Sequence, residues 1–81
     1  MSWPIFYSER AGSDCEGLPG DAISALGELE GLLSEHPFLG APNPSDPLER
    51  SVDFGKNGQG VVTYVLDESH REIWFLGIVW L

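Results

Sequence analysis

Four prolines within eleven residues, at positions 37, 42, 44 and 47, cut the chain into two halves of different character. Proline fixes φ and lacks a backbone donor, so no regular element is expected to run through this stretch. Upstream of it, apolar residues recur at helical spacing. Downstream, they recur at the two-residue spacing of strands. Helices followed by strands predict an α+β fold. With 81 residues the chain has room for one domain, 1–81, and a core that buries about 60–65% of the unfolded surface.

Trp3 to Ser8 is a short aromatic run that reads as a first strand, with Pro4 at its start or edge. Ser8 is placed to cap a short helix reaching about Glu16. Gly12, Ser13 and Asp14 are poor interior helix formers, so that helix depends on packing. Gly17-Leu18-Pro19-Gly20-Asp21 is a break and a second helix start. Ala22, Ala25, Leu26, Leu29, Leu32, Leu33 and His36 then form one helical stripe, ending near Glu35 because Pro37 disfavours helical geometry at His36. After the proline-rich connector, which is expected to hold no regular element, come strands at Leu48–Phe54, Val61–Leu66 and Glu72–Leu81. The prediction is therefore order β-α-α-β-β-β, with two helices on one face of a mostly antiparallel four-stranded sheet.

The last strand is apolar on both faces. Strict alternation puts Ile73, Phe75, Gly77, Val79 and Leu81 on one side, and Trp74, Leu76, Ile78 and Trp80 on the other. A half-exposed strand alternates with polar residues, so the second face calls for cover. Trp74, Leu76, Ile78 and Trp80 are accordingly the expected partner interface, for another protein or for a second copy in a dimer.

Charge narrows the class of partner. Thirteen acidic residues face four basic ones, Arg10, Arg50, Lys56 and Arg71, for a formal charge of −9. Such a field repels phosphate, which disfavours direct nucleic-acid binding and suits a basic protein partner. The start, Met-Ser-Trp-Pro, has neither a basic nor an apolar leader region. The longest uncharged apolar run, Ile73–Leu81, is far short of a membrane span. A cytoplasmic protein without a membrane segment is expected.

Few motifs carry chemistry. Cys15 stands alone, which excludes an intrachain disulfide framework and a cysteine-rich zinc site. Gly55-x-x-Gly58-x-Gly60 joins two strands rather than opening a helix, so it reads as a hairpin turn and not a phosphate loop. Asp67, Glu68 and His70 fall in a turn without metal-ligand spacing, and His36 suits a helix C-terminus. Glu28, Glu30 and Glu35 form a solvated polar face. No metal or cofactor is expected. Arg50, Lys56 and Tyr64 are the one set, with Arg71 nearby, that could stabilise a charged phosphorane and move a proton.

Two stretches carry a resemblance. One runs from Tyr7-Ser8-Glu9-Arg10-Ala11 through Leu18-Pro19 and the leucine-striped helix to Glu35-His36-Pro37-Phe38-Leu39-Gly40. The other comprises Arg50-Ser51-Val52-Asp53-Phe54-Gly55, Gly60-Val61-Val62-Thr63-Tyr64-Val65-Leu66-Asp67 and Ile73-Trp74-Phe75-Leu76-Gly77-Ile78. With the order of elements, they resemble the RelE/ParE superfamily of bacterial toxins. The resemblance implies two antiparallel helices on a twisted antiparallel sheet, a cytoplasmic bacterial protein and an antitoxin that wraps it. Some members cut messenger RNA on the ribosome and others inhibit DNA gyrase. This chain departs from the family pattern in having Val65 where arginine often follows the tyrosine. Its last strand finishes Val79-Trp80-Leu81, without the basic residue and tyrosine common in ribonuclease members, and its charge is acidic. Arg50, Lys56 and Tyr64 remain as the matching positions. The expected function is thus a divergent toxin module with a degraded ribonuclease site that acts by protein–protein binding. The alternative is an adaptor or homodimer of the same fold.

Overall fold

The computed structural model describes residues 2–81; Met1, part of the expected domain and of the Met-Ser-Trp-Pro start, lies outside the described residues. The chain runs β1 (Ile5–Tyr7), α1 (Glu9–Glu16), α2 (Gly20–Glu35), β2 (Ala41–Asn43), β3 (Asp46–Phe54), β4 (Gly60–Asp67) and β5 (Glu72–Trp80). The strands form one five-stranded sheet in the order β1-β5-β4-β3-β2. Strands β3, β4 and β5 form the expected antiparallel meander, while β1 pairs in parallel with β5. No helix among the described residues is long and apolar enough to cross a membrane.

The four-stranded expectation is corrected by β2, which comes from the proline-rich connector. Ala41 and Pro42 pair with Ser51 and Arg50, and the register slips between Pro42 and Asn43. Proline is tolerated there because β2 is the outermost strand, where one row of backbone groups has no ladder to join. The Asn43 side chain accepts from Ser45 N–H (2.9 Å) and turns the chain tightly into β3. The parallel β1–β5 pair makes the sheet mixed.

Ser8 caps α1 as expected, its Oγ accepting from Ala11 N–H at 3.1 Å. Two further bonds reach β5: its N–H donates to the Phe75 carbonyl (2.9 Å) and its Oγ to the Leu76 carbonyl (3.2 Å). The Asp14 carboxylate accepts from Ile78 N–H at 2.9 Å. These contacts belong to a bulge. Thr63 opposes Gly77 but Tyr64 opposes Phe75, so Leu76 is an extra residue in β5. β1 ends at Tyr7 opposite Phe75, and beyond it the Ser8 and Asp14 side chains take up polar groups on that edge of β5, as buried backbone requires.

The bulge corrects the expected division of β5. Side-chain parity flips at Leu76, so Ile73 and Phe75 share the core side with Ile78 and Trp80, while Trp74 and Val79 face the other way. Ile78 is 5% exposed and belongs to the core, not to an interface. On β4 the alternation is regular: Val62, Tyr64 and Leu66 are buried. Against this face α2 lays Leu26, Leu29 and Leu33, with Ala11 from α1 in the same cluster. Leu32, assigned to the same stripe from sequence, is 48% exposed. Glu30 is not simply solvated, since its carboxylate accepts the Tyr7 hydroxyl across from β1 at 2.5 Å.

Leu29 sits at the centre of this contact. Leu29→Ala should lower stability by about 2–4 kcal/mol in denaturant unfolding. A loss below about 1 kcal/mol would show that the stripe is not core.

Candidate functional site: a clamp, a groove and an aromatic face

Arg50 and Tyr64 are brought together directly, as opposed residues of β3 and β4. Both side chains turn to the connector. The Tyr64 hydroxyl accepts from Gly40 N–H (2.8 Å) and donates to the Pro37 carbonyl (3.0 Å). Arg50 Nη1 donates to the carbonyls of Phe38 (3.0 Å) and Gly40 (2.8 Å), and its guanidinium lies 5.1 Å from the centre of the Phe38 ring. The Arg50 Nε is buried without a hydrogen-bond partner. Gly40 is required here: a Cβ would fall 2.7 Å from both the Ser51 carbonyl and the Tyr64 hydroxyl. Burial pushes the Tyr64 hydroxyl above its ordinary pKa, against the opposing pull of Gly40 N–H and Arg50. A fully buried phenol held protonated between two backbone groups is built to hold the connector on the sheet.

Lys56 is not part of this cluster. It lies in the β3–β4 turn and lines a groove of about 610 Å³ between that turn and α2. Leu29, Leu32, Phe54 and Trp80 supply the apolar side of the groove; Asp21 and Glu28 supply the acids from α2, and Asp53 borders it at the end of β3. Trp80 packs on Phe54 at 5.5 Å between ring centres. The turn wall is held from within. Gly58 N–H donates to the Gly55 carbonyl, Leu81 N–H donates to the Gln59 carbonyl, and Gly55 has a φ of 96° that favours glycine.

The remaining expected interface residues are divided between the two faces of the sheet. Trp74 stacks on Phe6 at 5.0 Å on the face away from α2. In register, Val65 stands opposite Trp74 and Val61 opposite Val79, which is 54% exposed. Glu49 and Asp53 follow on β3 opposite Val65 and Val61. Trp80 belongs instead to the groove, and half-buried Leu76 to the bulge.

Sequence reasoning missed the groove, although it left a signal. At about 100° per residue the seven-residue stripe of α2 spans an arc of about 120°. Ala25 and Leu32 fall at one edge of that arc, next to Asp21 and Glu28, and all four line the groove.

Asp67, His70 and Glu72 bring ligand atoms within 4.8 Å of one another on the β4–β5 turn. Their bonds are already assigned: His70 Nδ1 meets Asp67 Oδ2 at 2.9 Å, and Glu72 accepts from Trp74 Nε1 at 3.2 Å. The Asp67 carboxylate holds the exposed His70 imidazole above its ordinary pKa, and the same contact holds Asp67 below the usual carboxylate range.

Tyr64→Phe should leave Gly40 N–H buried without its acceptor and cost about 1–3 kcal/mol, with faster hydrogen exchange at Gly40 than at the β4–β5 ladder. Unchanged exchange would mean that the hydroxyl does not hold the connector. The Asp67–His70 contact strengthens the turn above the carboxylate titration and is lost as pH rises through the raised imidazole value. An NMR titration should therefore place the His70 midpoint above that of a free imidazole, with Asp67→Asn bringing it down; a midpoint insensitive to Asn would remove the pair.

No protein-family model matches the chain, and no curated protein sequence does. Its structure is nevertheless similar, with a TM-score of 0.84 and 21% identity over 100% of both chains, to a chain in the crystal structure of the toxin–antitoxin complex RelBE2 from Mycobacterium tuberculosis. The fold is therefore that of a chain from a toxin–antitoxin complex.

Proposed function

We propose that this chain is the RelE/ParE-like toxin module of a bacterial toxin–antitoxin pair, one domain over 1–81, working in the cytoplasm through protein–protein binding with a degraded ribonuclease site. The observation that carries the reading is the full-length structural match to a chain of a toxin–antitoxin complex. Loss of the ribonuclease site is supported by what Arg50 and Tyr64 touch: connector backbone on the core side of the sheet, with Lys56 at another site. A general acid or base must reach the proton that it moves, and a fully buried phenol with a raised pKa does not meet that need. The acidic balance works in the same direction, since −9 opposes approach to RNA. Protein binding is supported by the apolar groups left in contact with solvent, among them Phe6, Leu32 and Val79.

The test is tightly controlled induction in a bacterial host, alone and with the short protein encoded beside it, for the chain and for Lys56→Ala/Tyr64→Phe. We expect intact messages, identical growth for the two forms, and co-purification of the neighbour-encoded protein. Message cleavage abolished by the double substitution would overturn the degraded-site reading. Failure of the neighbour to co-purify would overturn the toxin–antitoxin reading in favour of an adaptor or homodimer.

A further inference from the structure

We infer that the groove between α2 and the β3–β4 turn is a docking site for a cationic amphipathic helix of a protein partner. This rests on the partner-binding reading above and specifies which surface is used and what it recognises.

The shape suits a helix. The groove is lined along α2 by Asp21, Ala25, Glu28, Leu29 and Leu32, which covers three turns and about 16 Å of helix axis. A second helix lying alongside would set its own ridge of side chains into this row. The opposite wall, from Phe54 to Gln59 with Trp80, is fixed by internal hydrogen bonds and by the Phe54–Trp80 contact. A preformed wall lowers the entropy lost on binding.

Charge selects the occupant. Asp21 and Glu28 line the groove along α2 against one cation, Lys56, in a molecule of charge −9. A helix that fits must bring an apolar stripe to Leu29, Leu32 and Trp80, and lysine or arginine at its flanks for the acids. A second copy of this chain brings no such flanks, because α2 from Gly20 to Glu35 contains no lysine or arginine.

The experiment titrates the full chain with a synthetic 18-residue leucine–lysine helix and with its leucine–glutamate counterpart. NMR of the Trp80 and Trp74 indoles and of the leucine methyls reports where each binds. The lysine peptide should bind, shifting Trp80, Leu29 and Leu32 but not Trp74, and the glutamate peptide should not. Leu32→Arg, at a half-exposed position, should weaken binding at least ten-fold with the thermal melt unchanged, whereas Phe6→Arg on the outer sheet face should leave it unchanged. No binding, equal binding of both peptides, indifference to Leu32→Arg, or shifts centred on Trp74 would each overturn the proposal. So would a concentration-dependent dimer that Leu32→Arg dissolves, which would assign the groove to a second copy. Peptide binding without co-purification of the neighbour-encoded protein would leave the groove standing and remove the toxin–antitoxin reading; the converse result would do the opposite.

Discussion

One additional residue in β5 governs much of the molecule. Leu76 has no opposite number in β4, and from that point the side chains of β5 exchange faces. Without it, Ile78 and Trp80 would point away from α2, and the core would lose an isoleucine while the groove lost its aromatic wall. Around the bulge the start of α1 binds the edge of β5 that β1 leaves open, with Ser8 taking the carbonyls of Phe75 and Leu76 into its bonds and Asp14 accepting Ile78 N–H. A helix with weak intrinsic propensity is in turn held by the strand that it binds. The two elements are mutual conditions, and Ala11, fully buried, is their shared contact with the core.

A second constraint acts at the other side of the sheet. The connector between α2 and β3 has little regular structure of its own, yet Tyr64 and Arg50 hold its backbone from Pro37 to Gly40. That placement delivers Ala41 and Pro42 beside β3 and creates the edge strand. Residues that in an open cleft could have served acid–base chemistry are here occupied in positioning a loop. The same residue types thus support two quite different readings, and the separation between them is made by burial and by hydrogen-bond partners rather than by identity.

How much of this was legible beforehand follows from the range of the interactions. Periodic signals survived: the α2 stripe located Leu26, Leu29 and Leu33 in the core, Ser8 was a local cap, and the three-strand meander followed from alternation and turn residues. The division of β5 was misread because strict alternation was carried through Gly77, although a glycine inside a strand is a mark of a bulge, and the extra residue Leu76 stands beside it. β2 was hidden by its prolines, which argue against strands in general but not against the outermost one. The groove was half visible, in a stripe too wide for one sheet to cover. The candidate set Arg50, Lys56 and Tyr64 shared a register argument for only two of its members, and sequence spacing could not say which way their side chains faced.

The parallel pairing of β1 with β5 joins residues from nearly opposite ends of the chain, Ile5 beside Ile73 and Tyr7 beside Phe75. Both helices and three other strands lie between the two partners in the sequence. The amphipathic α2, with its leucines, packs on a sheet whose central strands all lie later in the sequence. Closure of so long a loop is slow relative to helix formation, because the entropy of the intervening chain is lost before the contact is gained. The apolar face of α2 thus gains its full cover only when this one long-range pairing has formed, so the two ends of the described chain are bound into a single cooperative unit.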